Sequence, residues 1–522
     1  MPAPPSPDDA PEPPASEPRV ARPRRLLRTR RGRLAVAGAA AAIAVLAWTA
    51  VWLSGGEPEQ KALRLVPRAE VGGGDPLAFD PARVSDLESW AAVGASHVLY
   101  AKSPGGVVAT ALRTARFRPL VEAAVAGTGI DPGLLEAIVF LESAGRPNVI
   151  AGGDPAAAAG LAQIVAATGT DFLGMRIDLA ASRRLTREIA KAVHHGNRSK
   201  ARRLRERRRL VDPRFDPRQA LAGAVRYLLA ARSRFDRDDL AVVSYHMGIA
   251  NLEAVLRAYA GTPGGGPIAD VVRRRDLSYA RVFFDSSPIR HGAAWVRLRR
   301  LGDDSQSYYW RVLAAREIMR LFRQEPARLD KLAVLQWNKA SGEEVLHPPE
   351  TTDRYAGPGD IEAAWKRGDL QALPEDPVRF HIAVDPQMGE LAGQLGRAPA
   401  LYRGLRPEAL ALLLYLARGV EEISGDPTPL AVTSTVRDES YQRLLAGETA
   451  EATRAYSLHT TGYAFDILRS YGSRAQAVAF QAELDRLQAR GLIAWVREAQ
   501  AIHVTVASEA VVLVPFLLEP AG

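Results

Sequence analysis

LLEAIVFLESAGRPNVIAGGDPAAAAGLAQIVAATGTDF, Leu134–Phe172, is the stretch on which the reading of this chain turns. Leu134, Leu135, Ile138, Val139 and Leu141 recur at helical spacing, so most of this helix faces a core. Glu142 stands at its end, on the edge of the apolar face, where partial desolvation disfavours the ionised form and raises the carboxyl pKa. A carboxyl that keeps its proton near neutral pH can serve as a general acid. Taken alone, a glutamate at a helix end is more often a solvated charge. What singles out Glu142 is its company: a Gly- and Asn-containing loop behind it, then a small-residue segment ending in Gly-Leu-Ala-Gln-Ile (Gly160 to Ile164).

The chain has 522 residues, too many for one ordinary core, so two or three domains are expected. Its 47% hydrophobic and 24% charged residues are those of a globular protein. The net charge of +9 suits a polyanion, an anionic membrane surface or an anionic cell-wall polymer as partner. No cysteine is present, which excludes disulfides and thiolate metal sites; any metal would sit on His, Asp or Glu.

Residues 1–33 read as a disordered tail, Pro-rich at first and strongly basic from Arg24 to Arg33. The uncharged run 34–53 is long enough to cross a bilayer as a helix, with tryptophans towards its far end. The basic block before it predicts a single pass with the N-terminus inside and the rest of the chain exported. A cleaved signal competes, but no small-x-small site follows the run. Residues 54–75 are a linker, 76–330 a helical domain with its core at 115–260, 331–375 a Pro-interrupted connector, and 376–522 an α+β domain. Within the helical domain, 183–209 carries twelve Lys and Arg against two acids. It reads as a solvated helical hairpin, or as a contact surface for an anionic wall polymer or lipid headgroups. It lacks the interleaved aromatics that base stacking would need, so no nucleic-acid partner is expected.

Glu142-Ser143-x-Gly145 with Asn148, Gly160-Leu161-x-Gln163-Ile164 and Ser244-Tyr245-His246-Met247-Gly248 occur in an order that resembles the soluble lytic transglycosylase (SLT-type) family, whose domain is lysozyme-like. The resemblance covers roughly 115–260. It implies a peptidoglycan substrate and a mechanism with one carboxyl group, in which Glu142 breaks the bond between N-acetylmuramic acid and N-acetylglucosamine and closes a 1,6-anhydro ring. It further implies substrate contacts from Ser143, Gln163 and Tyr245. The family's Asn and Met are replaced here by His246 and Ala162, and the basic insert before Asp212 is larger than the family leads one to expect.

Ser457-x-His459-x-x-Gly462-x-Ala464-x-Asp466, with His503 in a later strand-like run, resembles the zinc D-alanyl-D-alanine carboxypeptidases (VanY-like). The resemblance implies zinc on His459, Asp466 and His503, with a water position left open. Arg437, after Thr433-Ser434, would orient substrate and stabilise an oxyanion. The family's base, a glutamate three residues before the last His or a histidine two before it, is missing: Gln500 and Ala501 stand there. Glu498 is the nearest acid, and along a continuous strand it would fall on the face opposite His503.

Together these readings predict a multi-domain protein: a mainly α, lysozyme-like domain, then an α+β zinc-peptidase-like domain, behind an N-terminal transmembrane helix. They place it in the bacterial cytoplasmic membrane with both domains outside. A non-catalytic peptidoglycan-binding scaffold is the alternative, and a polyanion-binding protein resting on 183–209 is a third.

Overall fold

The computed structural model describes residues 63–65, 75–262, 264–338, 342–448 and 456–520. The basic tail, the expected membrane helix and all of the linker except residues 63–65 and 75 lie outside the described residues. Among the described residues no helix is long and apolar enough to cross a membrane. They form a mainly helical structure with a small mixed sheet in the C-terminal part.

The Glu142 helix runs Pro132–Ser143. Asp131 caps it by accepting from the Gly133 N–H, and Pro132, needing no partner for its nitrogen, fits the first turn. Leu135, Ala137, Ile138, Val139 and Phe140 are all buried, so nearly every side of the helix meets protein. It ends at Ala144 and Gly145 in left-handed backbone (φ 53° and 68°). At Gly145 a Cβ would come within 2.6 Å of the Thr114 nitrogen, so only glycine fits. Helices Val84–Lys102 and Tyr308–Gln324 pack together, and the second of these also packs on the Glu142 helix. The core they share extends from Leu87 to Leu329.

The basic stretch is a hairpin of two helices, Leu179–His194 and Arg198–Val211, with a small core of its own around Leu185, Ile189 and Leu204. Behind it sits a fully buried ion pair. Arg214 Nε and Nη2 donate to the two oxygens of Asp212 at 2.9 and 2.7 Å. Its three remaining N–H groups go to the carbonyls of Ala157, Ile164 and Pro155. Gly160 lies against the Arg214 backbone, where a Cβ would be 1.8 Å from its carbonyl oxygen.

Nine short strands are present among the described residues: β1 (Leu63–Leu65), β2 (Gln371–Ala372), β3 (Ile382–Val384), β4 (Gly404–Leu405), β5 (Leu430–Ser434), β6 (Ala464–Leu468), β7 (Ile493–Arg497), β8 (Ala501–Val506) and β9 (Leu518–Pro520). Five make the main sheet in the order β3-β5-β6-β8-β7; β3 and β5 run parallel and the other neighbours antiparallel. Phe465, Ile467, Ile502 and Val504 alternate onto one face and join the core beneath helices Pro407–Ser424 and Arg474–Ala489. The opposite face carries Asp466 and His503, which are direct partners across β6 and β8.

Leu77 joins this second core and not that of the helical domain in which it was expected. The reason is Asp75, which accepts from Tyr415 Oη at 2.8 Å and from Arg486 Nη2 at 3.1 Å and so brings the chain onto the C-terminal helices.

Replacing Arg214 by methionine leaves the buried Asp212 carboxylate without its counter-charge and takes a donor from each of three carbonyls. We expect a loss of about 3–5 kcal/mol in urea unfolding. Arg183→Met, which breaks an exposed, solvent-screened pair with Asp154, should leave the urea unfolding curve nearly unchanged.

Candidate functional site

Glu142 lines a cavity of about 270 Å³ together with Lys102, Pro104, His246, Tyr308 and Arg311. Its Oε1 accepts a 2.7 Å hydrogen bond from the Tyr308 hydroxyl. Burial pushes the Glu142 pKa up to about 7, and the Tyr308 bond, which favours the ionised form, offsets part of that rise. Burial and the neighbouring Glu142 hold both Tyr308 and Tyr245 well above the ordinary tyrosine value, so both are neutral hydroxyls. His246 stacks on Tyr308 with ring centroids 5.0 Å apart and is pushed down by burial, which leaves it uncharged at neutral pH.

The other residues expected at this site have different places. Tyr245 packs edge-on to Tyr227 and donates from its hydroxyl to the Ala162 carbonyl at 2.8 Å, tying the Gly160–Ile164 turn to the helix Asp238–Met247. Gln163 adopts left-handed backbone (φ 44°) and directs its side-chain amide nitrogen at the carbonyls of Gly160 and Val149, so it braces the turn. Ser143 is 2% exposed, and its hydroxyl donates to the Val139 carbonyl one turn back. Tyr308 was missed. It lies 166 residues from Glu142 in sequence, with no local motif to mark it beyond the aromatic run Tyr308-Tyr309-Trp310.

In the C-terminal lobe the ligand atoms of His459, Asp466 and His503 lie within 4.8 Å of one another, and all three residues are buried. His459 sits in a short helical turn, Leu458–Thr461, that delivers it beside β6. Its Nε2 is 3.1 Å from Asp466 Oδ2 and its Nδ1 is 2.8 Å from the Thr435 carbonyl. His503 Nδ1 is 2.8 Å from Asp466 Oδ1. Burial, then the nearby Arg437 guanidinium, push His459 down to about 4, so it is neutral, as a metal-ligating imidazole must be. Burial works against the charged form of Asp466 too, yet His459 and His503 hold it well below the usual range. Two imidazoles and a carboxylate at these separations are a donor set that fits zinc.

Arg437 is beside this group: Nη2 donates to Ser434 Oγ at 2.6 Å and lies 3.3 Å from Asp466 Oδ2. It lines a cleft of about 150 Å³ with Asp385, Glu390, Ser434 and Tyr441. Glu498 lies just past the end of β7, so the strand to His503 is not continuous. Its N–H bonds to the Ala501 carbonyl at 3.0 Å, so the chain reverses at residues 498–501. Because Val496 pairs with His503, Glu498 falls on the same face as His503, at the exposed tip of the hairpin.

No family model matches the chain, and no curated protein matches it.

The raised Glu142 pKa has a consequence for stability. From pH 4.5, the ordinary value, to about 7 the folded state holds a proton that the unfolded state releases, so stability falls as pH rises through this window. Glu142→Gln removes that penalty. In urea unfolding it should be more stable than wild type by on the order of 2–3 kcal/mol at pH 8 and equal to it near pH 4.

Proposed function

We propose that the chain is a lytic transglycosylase of bacterial peptidoglycan, anchored in the cytoplasmic membrane by residues 34–53 with both domains outside. In this reading a lysozyme-like helical domain cuts the glycan, and a zinc-peptidase-like domain holds or trims the stem peptides. The observation that carries it is a single carboxyl, Glu142, kept protonated near neutral pH by burial and held by a neutral tyrosine at an open cavity.

The chemistry follows from that one group. Protonated Glu142 donates to the glycosidic oxygen between N-acetylmuramic acid and N-acetylglucosamine as the bond from that oxygen to C1 breaks. The resulting carboxylate takes the proton of the muramic acid's own 6-hydroxyl while its oxygen bonds to C1, closing the 1,6-anhydro ring and regenerating the acid. No water is consumed, and no second carboxylate is needed of the kind that hydrolases place across the scissile bond. The other acid at this cavity, Asp304, is exposed and paired with Arg311 at 2.5 Å. Tyr308 bonds one oxygen of Glu142 and steadies the carboxylate in the interval when it lacks its proton.

In the C-terminal domain His459, Asp466 and His503 would hold zinc, which when bound polarises a carbonyl and activates a water. Arg437 is near enough to Asp466 to orient an anionic peptide end. Gln500 and Ala501 supply no base, and Glu498, though on the His503 face, stands exposed at the hairpin tip, which favours metal-dependent holding of stem peptides over their hydrolysis. The same substrate would place the exposed cations of the 183–209 hairpin against an anionic wall polymer.

The test is digestion of purified sacculi by the full-length chain, read by mass spectrometry. Wild type should release anhydromuropeptides and Glu142→Gln should lose at least about 100-fold of that rate. A protein that binds sacculi and releases none is the scaffold of the alternative reading. The rate should fall above pH about 7 as Glu142 loses its proton. Tyr308→Phe removes a bond that favours the carboxylate, so it should move that alkaline limb upward in pH, which general damage to the fold would not do.

A further inference from the structure

The connector between the two lobes carries a carboxylate for which the reaction above has no use. Glu343 opens the short helix Glu343–Leu346 and is 6% exposed. Its Oε1 lies 3.4 Å from the Thr505 hydroxyl, and that hydroxyl lies 3.4 Å from His503 Nε2. The direct separation of Glu343 Oε1 from His503 Nε2 is 3.7 Å, too long for a hydrogen bond, so Thr505 is the link. A hydroxyl can accept from one neighbour and donate to another, which is what this order of atoms requires.

The other nitrogen of His503, Nδ1, is the one that faces Asp466. The two ring nitrogens of an imidazole point to opposite sides, so Asp466 and the Thr505–Glu343 pair grip the ring from opposite edges. His459 is held in the same manner, with Nε2 towards Asp466 and Nδ1 against the Thr435 carbonyl. In each ring one nitrogen is turned to the shared carboxylate and the other to an acceptor outside the group. A metal-ligating histidine needs that second contact, because it fixes which nitrogen carries the hydrogen and which is free to coordinate.

We propose that Glu343 is a positioning residue for the metal site: through Thr505 it holds the hydrogen of His503 on Nε2 and leaves the Nδ1 lone pair for zinc. The inference rests on the reading of His459, Asp466 and His503 as zinc ligands. It also separates Glu343 from the missing base, because a carboxylate on the Nε2 edge is turned away from the ligand side of the ring. Thr505 reaches this position because it follows His503 by two residues on β8 and so shares its face. Glu343 reaches it from a segment 162 residues away from Thr505, so the connector closes the metal face of the sheet.

The experiment is zinc binding by the full chain, with stoichiometry from elemental analysis and affinity from competition with a chromophoric chelator. Wild type should bind one zinc and His459→Ala none. Glu343→Ala should bind about 10–100-fold more weakly. Glu343→Gln, which keeps an acceptor for the Thr505 hydroxyl, should fall between the two. Thr505→Val cuts the same link with little change of shape and carries the test if Glu343→Ala fails to fold. Cobalt substituted for zinc should show altered visible absorption in both variants, a change that a purely structural role would not produce. Wild-type affinity and an unchanged cobalt spectrum in Glu343→Ala and Thr505→Val would overturn the assignment of Glu343. Absence of zinc from wild type would instead overturn the metal site itself.

Discussion

The guanidinium of Arg214 has all five of its N–H donors inside the protein, two on Asp212 and three on the carbonyls of Pro155, Ala157 and Ile164. A loop of small residues cannot fold inward by burying side chains, because it has few to bury. Here its carbonyls are gathered by one rigid fork instead, a task for which a lysine with its single charged tip is the wrong shape. The consequence is carried stepwise to the candidate catalytic group. The clamped loop fixes the Ala162 carbonyl, Ala162 receives the Tyr245 hydroxyl, and Tyr245 is near enough to Glu142 for that carboxylate to disfavour ionisation of the phenol. Asp212 in turn accepts from Ser182 in the basic hairpin, so the hairpin is fastened to the same clamp.

Two glutamates on one helix show how environment assigns roles. Glu136 is fully buried but lies between Arg118 and Arg323, at 3.1 and 2.7 Å, and so has charge partners that offset its desolvation. Glu142, six residues on, has among the described residues only the phenol of Tyr308 as a hydrogen-bond partner, and a phenol stabilises a carboxylate far less than a guanidinium does. The helix therefore holds one structural carboxylate and one that is held near its titration point. The second is costly to the fold at neutral pH, and a residue that destabilises its own protein in this way is more readily explained by chemistry than by packing.

Much of this was legible in the sequence, and the failures have physical causes. Apolar periodicity marked the Glu142 helix, and the strand-like run around His503 is β8. The order of Glu142, Gln163 and Tyr245 drew together segments that do meet in the structure. Ser143 lies four residues after Val139, on a side of the helix that helical spacing already gives to the core. For Glu498, strand parity holds only along an unbroken strand, and a reversal at 498–501 restores the face that parity takes away. Tyr308 and Glu343 carry no local signal, since each reaches its partner only through tertiary packing. Arg208 was read as one more solvated cation of a basic run. It is 2% exposed, lies over the Phe215 ring at 3.6 Å and donates to Asn148 in the loop behind Glu142.

The face of the C-terminal sheet that carries Asp466 and His503 follows from register more than from motif. Ser434, Asp466, His503 and Val496 stand opposite one another across β5, β6, β8 and β7, so their side chains share a single row on one face. Any residue two positions along β8 shares that face, which is how Thr505 comes to touch the His503 ring on its far side. A base three residues before His503 would have to stand at position 500, within the turn, where the backbone no longer follows the sheet and the side chain is exposed. The turn between β7 and β8 thus leaves Glu498, at the exposed tip, as a further carboxylate on this face, while the connector brings Glu343 to the opposite edge of the His503 ring. A site built in this way would offer a metal three buried donors, with Glu498 as the carboxylate standing exposed at the rim of the same face.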